Sequence, residues 1–212
     1  MTADSVALTY LNDFEARTVE AIAERIIPGD GDDAGATEAG VVYYIDRAIT
    51  GFSTALQSAY RRGLRELESF CRQTFSKSFV ELTLEQQDEL LRAAIGPETG
   101  APNPGFLFSP QDQAQGTMAE DEVVDSELLH RLITIIREHT VEGYFCDPVY
   151  GGNRDAVGWR LVGFPGAQWG YTSAQMRDGF DASAIPIMTL SDLRGQLRNL
   201  PPNEQFYTDV EQ

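Results

Sequence analysis

The sequence predicts a mainly α protein: a helical bundle of about five helices followed by an irregular segment rich in Gly, Pro and aromatic residues. Three observations predict it. Apolar residues recur at steps of three and four through successive stretches before position 145. Capping residues and Gly or Pro stops bracket those stretches. Beyond Phe145 the helical period is lost, and Gly, Pro and aromatic residues crowd together up to Tyr171.

The elements follow in order. Asn12 with Glu15 three residues later reads as a capping box, and Phe14, Val19, Ile22, Ala23 and Ile26 then share one helical face until Pro28-Gly29-Asp30. Gly31 to Gly35 is an acidic turn. Thr37 is expected to cap a second helix carrying Val41, Val42, Ile45 and Ile49, with Gly51 closing it. A third helix fits Ser53 to Phe75, with Leu56, Tyr60, Leu64, Leu67 and Cys71 inward. Its outer face, Arg61, Arg62, Arg65, Glu66, Glu68 and Arg72, reads as a solvated surface with local ion pairs. Thr83 and Gln86 cap a fourth helix, which runs to Ile95. A long loop is expected from Gly96 to Ala119. The fifth helix begins near Asp125 or Ser126, places Leu128, Leu132, Ile135, Ile136 and His139 on one side, and ends near Gly143. One more short helix is expected over Leu190 to Leu197, before a Pro201-Pro202 tail. These elements predict one domain over 1–212: a helical core at about 12–145, an ordered irregular segment at about 146–188, and a short helix and tail at 189–212.

Composition narrows the function classes. An apolar content of 42% and a charged content of 23% are those of an ordinary globular protein. No run approaches the roughly 18 apolar residues of a membrane span, so no direct membrane insertion is expected. The net charge of −17 disfavours nucleic acid and anionic membrane surfaces. Lys77 is the only lysine among 16 basic residues, a compositional bias. Met1 to Leu11 lacks a basic start and contains Asp4, so it does not read as a secretory leader. The expected location is therefore the cytoplasm, or the periplasm if a leader is removed or a partner carries the signal.

Catalytic signatures are absent: the sequence has no GxSxG, no GxGxxG and no P-loop. His130 and His139, nine residues apart on one helix, point in nearly opposite directions and read as structural. The acidic run from Asp30 starts like a calcium loop but fails at Ala34 and Val41. Asp147, Asn153 and Asp155 could supply oxygen ligands and, with His139, define an alternative: a stand-alone metal-binding or enzymatic helical protein. Turn chemistry accounts for the same residues more simply. Cys71 reads as a small buried hydrophobe. Cys146 reads either as a free thiol or as half of a disulfide, with Cys71 or with a partner's cysteine.

The unusual segment is Gly143-Tyr144-Phe145-Cys146-Asp147-Pro148-Val149-Tyr150-Gly151-Gly152-Asn153, followed by Gly158-Trp159 and Gly163-Phe164-Pro165-Gly166. Its glycines and prolines suit an ordered loop, and its aromatics supply rigid contact area. Such a loop packs either on its own bundle or on a partner. Tyr150, Gly151, Gly152, Asn153, Trp159, Pro165, Trp169 and Tyr171 are the candidate partner-contact residues, with Tyr150, Trp159 and Trp169 as anchors.

Taken with Ile26-Ile27-Pro28-Gly29-Asp30 and Gly35-Ala36-Thr37-Glu38-Ala39-Gly40-Val41, the segment resembles the gluconate 2-dehydrogenase subunit 3 family over residues 10–172. The resemblance implies a small subunit with no catalytic residues, metal or cofactor of its own. It implies a large flavoprotein partner of the glucose–methanol–choline oxidoreductase type, which holds FAD, and a possible third subunit with haem c. It also implies a chaperone-like role in maturation or export of the large subunit.

Overall fold

The computed structural model describes residues 7–96 and 125–199. Most of the loop expected after Gly96, and the Pro201-Pro202 tail, lie outside the described residues. Among those described the chain is mainly helical and has no extended strand. The α-helices are α1 (Asp13–Ile26), α2 (Val41–Thr50), α3 (Gln57–Phe75), α4 (Leu84–Ile95), α5 (Ser126–Phe145), α6 (Val157–Val162) and α7 (Leu190–Arg198).

Helix α5 is the axis of the bundle. Its buried residues Leu129, Leu132, Ile133, Ile135, Ile136, His139, Thr140, Gly143 and Tyr144 spread over more than one face. A helix with so wide an apolar arc must be enclosed, and α1, α2, α3, α4 and α6 all pack against it. The arc is wider than the predicted stripe: Leu129 and Ile133 are buried, whereas Leu128 is only half-buried.

Helix ends follow the sequence where the cap is local. Asn12 and Glu15 cap α1 reciprocally, and Thr83 and Gln86 do the same for α4. Two starts differ from expectation. Helix α2 begins at Val41 behind Gly40, which is left-handed (φ +69°), and not at a Thr37 cap. The cause is long-range: Glu24 on α1 accepts the backbone N–H of Thr37 at 2.9 Å and that of Gly29 at 2.8 Å, winding 36–40 into a turn. Helix α3 begins at Gln57, because Thr54–Leu56 forms a 3-10 turn.

Two buried polar arrangements fix the elements. The Asp46 carboxylate, 2% exposed, accepts the N–H groups of Thr9, Tyr10 and Leu11 at 2.6, 2.9 and 2.8 Å. It straps the chain's entry onto α2, and the Arg61 guanidinium, paired with Glu15, covers the Tyr10 ring at 4.5 Å. In the core, His139 Nδ1 and the Tyr60 hydroxyl lie 2.8 Å apart and the two rings stack. Both residues are buried, as expected for a structural histidine. His130, on the other side of α5, bonds the Ala94 carbonyl through Nδ1 at 3.1 Å.

Burial holds His139 below the ordinary histidine range, against the opposing fields of Glu142 and Glu138. The unfolded chain therefore binds a proton that the folded chain refuses. Stability is fully present above the unfolded pKa and falls as pH drops through it. Urea titrations at about pH 7.5 and pH 5.5 should show wild type losing more stability between the two than His139→Gln does.

Candidate functional site

The residues singled out by sequence gather at the C-terminal end of α5. The last carbonyls of any helix lack partners within it, and here the returning chain partly covers them. The chain that follows supplies partners. Asn153, fully buried and left-handed (φ +45°), donates from Nδ2 to the Cys146 carbonyl at 2.8 Å. Its Oδ1 accepts the Gly158 N–H at 2.8 Å. Trp159, 5% exposed, donates from Nε1 to the Phe145 carbonyl at 2.7 Å. One Asp147 oxygen caps the following turn through Val149 N–H at 3.0 Å, and the other accepts the Leu190 N–H at 2.8 Å, tying in α7.

Contact this close excludes side chains. A Cβ on Gly158 would stand 2.2 Å from the Tyr144 carbonyl oxygen, and one on Gly152 would stand 2.1 Å from that of Gly143. The path between them is strained: Asp155 and Ala156 both have φ +55°, outside the comfortable range of a non-glycine residue. Beyond α6, Phe164 meets Trp159 edge-on at 5.2 Å. A short parallel bridge then joins Gly166 to Met188.

The N-terminal signature stretch meets the same structure. The Tyr144 hydroxyl donates to the Ala34 carbonyl at 2.5 Å, and Arg154 N–H donates to Ala39 at 2.9 Å. The Arg154 guanidinium lies over the Tyr43 ring at 5.6 Å. The two stretches thus form one clasp around the end of α5.

The eight candidate contact residues do not share one surface. Tyr150, Trp169 and Tyr171 are exposed and Gly151 is half-buried, whereas Gly152, Asn153, Trp159 and Pro165 are buried within the chain. The four candidate ligand residues are not assembled either. Asp147 and Asn153 are engaged by the backbone, His139 by Tyr60, and Asp155 is exposed. Among the described residues no three His, Cys, Asp or Glu side chains are grouped to hold a metal ion. The Cys146–Cys71 disulfide is not formed: both thiols are free. Burial pushes Cys146 up to about 11 and Cys71 up to about 12, so neither is an activated nucleophile at neutral pH.

What sequence reasoning missed is a groove beside the clasp, about 510 Å³, between the ends of α2 and α5. Tyr44, Phe52, Val141, Phe145 and Tyr150 line it with Glu142. Its only early signal is that Val141 and Phe145 fall off the inward stripe of α5.

With this geometry in view, comparison with known proteins becomes informative. A model of the family described as Gluconate 2-dehydrogenase subunit 3 matches residues 13–166. The chain belongs to that family. No curated protein and no solved structure matches it. The subunit 3 match runs from the first residue of α1 to the glycine of the Met188 bridge, and so contains α1 to α6 and both halves of the clasp.

Gly158 gives a test whose sign decides. Propensity alone favours alanine in a helix by about 1 kcal/mol. The contact with the Tyr144 carbonyl predicts that Gly158→Ala instead destabilises by roughly 1–3 kcal/mol in urea denaturation.

Proposed function

We propose that this chain is a non-catalytic small subunit of a heteromeric, flavin-dependent dehydrogenase acting on a CH–OH group of a sugar or sugar acid. In this reading the large subunit, of the glucose–methanol–choline type, holds FAD and the substrate pocket. A third subunit with haem c carries electrons onward, and this chain assists assembly, maturation or export of the large subunit. The complex works in the periplasm when the partner's signal or a removed leader provides export, and otherwise in the cytoplasm.

The observation that carries the reading is the family match over 13–166, joined to how the matched residues are used. The residues a stand-alone catalyst or metal site would draw on are Asp147, Asn153, Asp155 and His139. Asp147, Asn153 and His139 are committed to holding the fold, and Asp155 stands apart from them at the surface. Several large apolar and aromatic side chains face outward, including Phe52, Tyr150 and Trp169. Large exposed aromatics of this kind are typical anchors of protein–protein contacts.

The test is co-expression with a large flavoprotein of the glucose–methanol–choline type from the same genome. The reading predicts a complex of fixed stoichiometry, and a large subunit that is poorly soluble or lacks flavin when made alone. A flavoprotein equally soluble, loaded and active without this chain would overturn it. So would turnover of a sugar acid by this chain alone with an artificial electron acceptor.

A further inference from the structure

We infer that the groove between α2 and α5 is the seat of the partner subunit, and that its occupant is a segment with a bulky apolar anchor beside an Arg or Lys. This rests on the accessory-subunit reading and specifies where and by what chemistry the partner is held.

The apolar part of the argument is exposure. Phe52 is 73% exposed, Tyr150 52%, Val141 46% and Phe145 37%, and all four converge on one depression. A second hollow of about 200 Å³ shares Tyr44, Phe52 and Tyr150 and adjoins the first, and the two together form a trough-like face. Scattered single apolar residues need no explanation, but a contiguous set lining a trough does.

The trough is preformed. Its far wall is the Pro148–Tyr150 turn, capped by Asp147 and closed by Gly151 at φ +106°. Arg47 braces that turn from below, donating to the Val149 carbonyl at 3.3 Å. The near wall is α5 itself. A rigid seat of this kind loses little entropy when it is filled.

Charge selects the occupant. Glu142 is exposed at the rim, and its Oε2 is oriented by the Tyr44 hydroxyl at 2.9 Å. The Asp147 carboxylate in the same wall has both oxygens on backbone N–H groups, and Arg47 is held by the turn. Those hydrogen bonds leave the charges in place, so the carboxylates of Glu142 and Asp147 against the guanidinium of Arg47 leave the lining acidic by one charge, on a chain of net charge −17. An acidic surface steers basic segments toward it and repels acidic ones.

The experiment measures affinity of the full chain for the purified flavoprotein, with thermal unfolding to verify each variant's fold. Phe52→Asp should weaken binding by about 10-fold or more, and Glu142→Gln should weaken it less while flattening its salt dependence. Met176→Asp, at an exposed apolar side chain remote in sequence from the trough, should bind as wild type does. A photo-crosslinker at position 52 should capture a flavoprotein segment holding a large apolar residue next to Arg or Lys. Wild-type affinity in both Phe52→Asp and Glu142→Gln, or crosslinks to an acidic segment, would overturn this inference and leave the accessory role standing. A wild-type chain that does not bind the flavoprotein would overturn both.

Discussion

The end of α5 is a helix C-terminus over which the chain folds back, and the returning residues supply donors to its last carbonyls. The stretch from Cys146 to Trp159 is arranged around that constraint. The Phe145 carbonyl takes the Trp159 indole N–H, the Cys146 carbonyl takes the Asn153 amide, and the same amide's oxygen takes the Gly158 N–H. Leaving one such group bare would cost on the order of 1–3 kcal/mol, a large share of an ordinary domain's stability. The glycines follow from the same requirement. At Gly152 and Gly158 the returning backbone passes so close to the helix that no side chain fits.

This arrangement separates structure from function within one stretch of sequence. Asp147, Asn153 and Trp159 face inward and hold the clasp. The outward face is the apolar trough of Phe52, Val141, Phe145 and Tyr150. In the proposed reading that face receives another subunit, in keeping with membership of the subunit 3 family. The internal pair of His139 and Tyr60 lies one layer beneath the trough, where the Tyr44 ring meets His139 edge-on.

The bundle was largely legible in the sequence because most of its helices carry local signals. Helices α1 and α4 announce themselves by reciprocal caps, α5 by its long apolar period, and α7 by the short helical pattern from Leu190 to Leu197. The start of α2 was not legible, since Glu24 and a left-handed Gly40 decide it across the fold. Helix α6 spans only Val157–Val162 and is entered through left-handed Asp155 and Ala156, so no periodicity could reveal it. Trp159 could not be assigned to the interior, because a buried clasp and a protein interface both favour a large aromatic with a polar tip. Phe52 and Val141 were overlooked for a related reason. Whether an apolar residue is left uncovered depends on what the rest of the chain fails to reach.

The most direct measurement is amide hydrogen exchange of residues 143–166 in the isolated chain and in its complex with the flavoprotein. If the segment is an internal clasp, Gly158 and its neighbours exchange only on global unfolding in the free chain, and binding adds protection mainly around the trough. Rapid exchange throughout 143–166 in the free chain, with protection appearing only in the complex, would contradict the account.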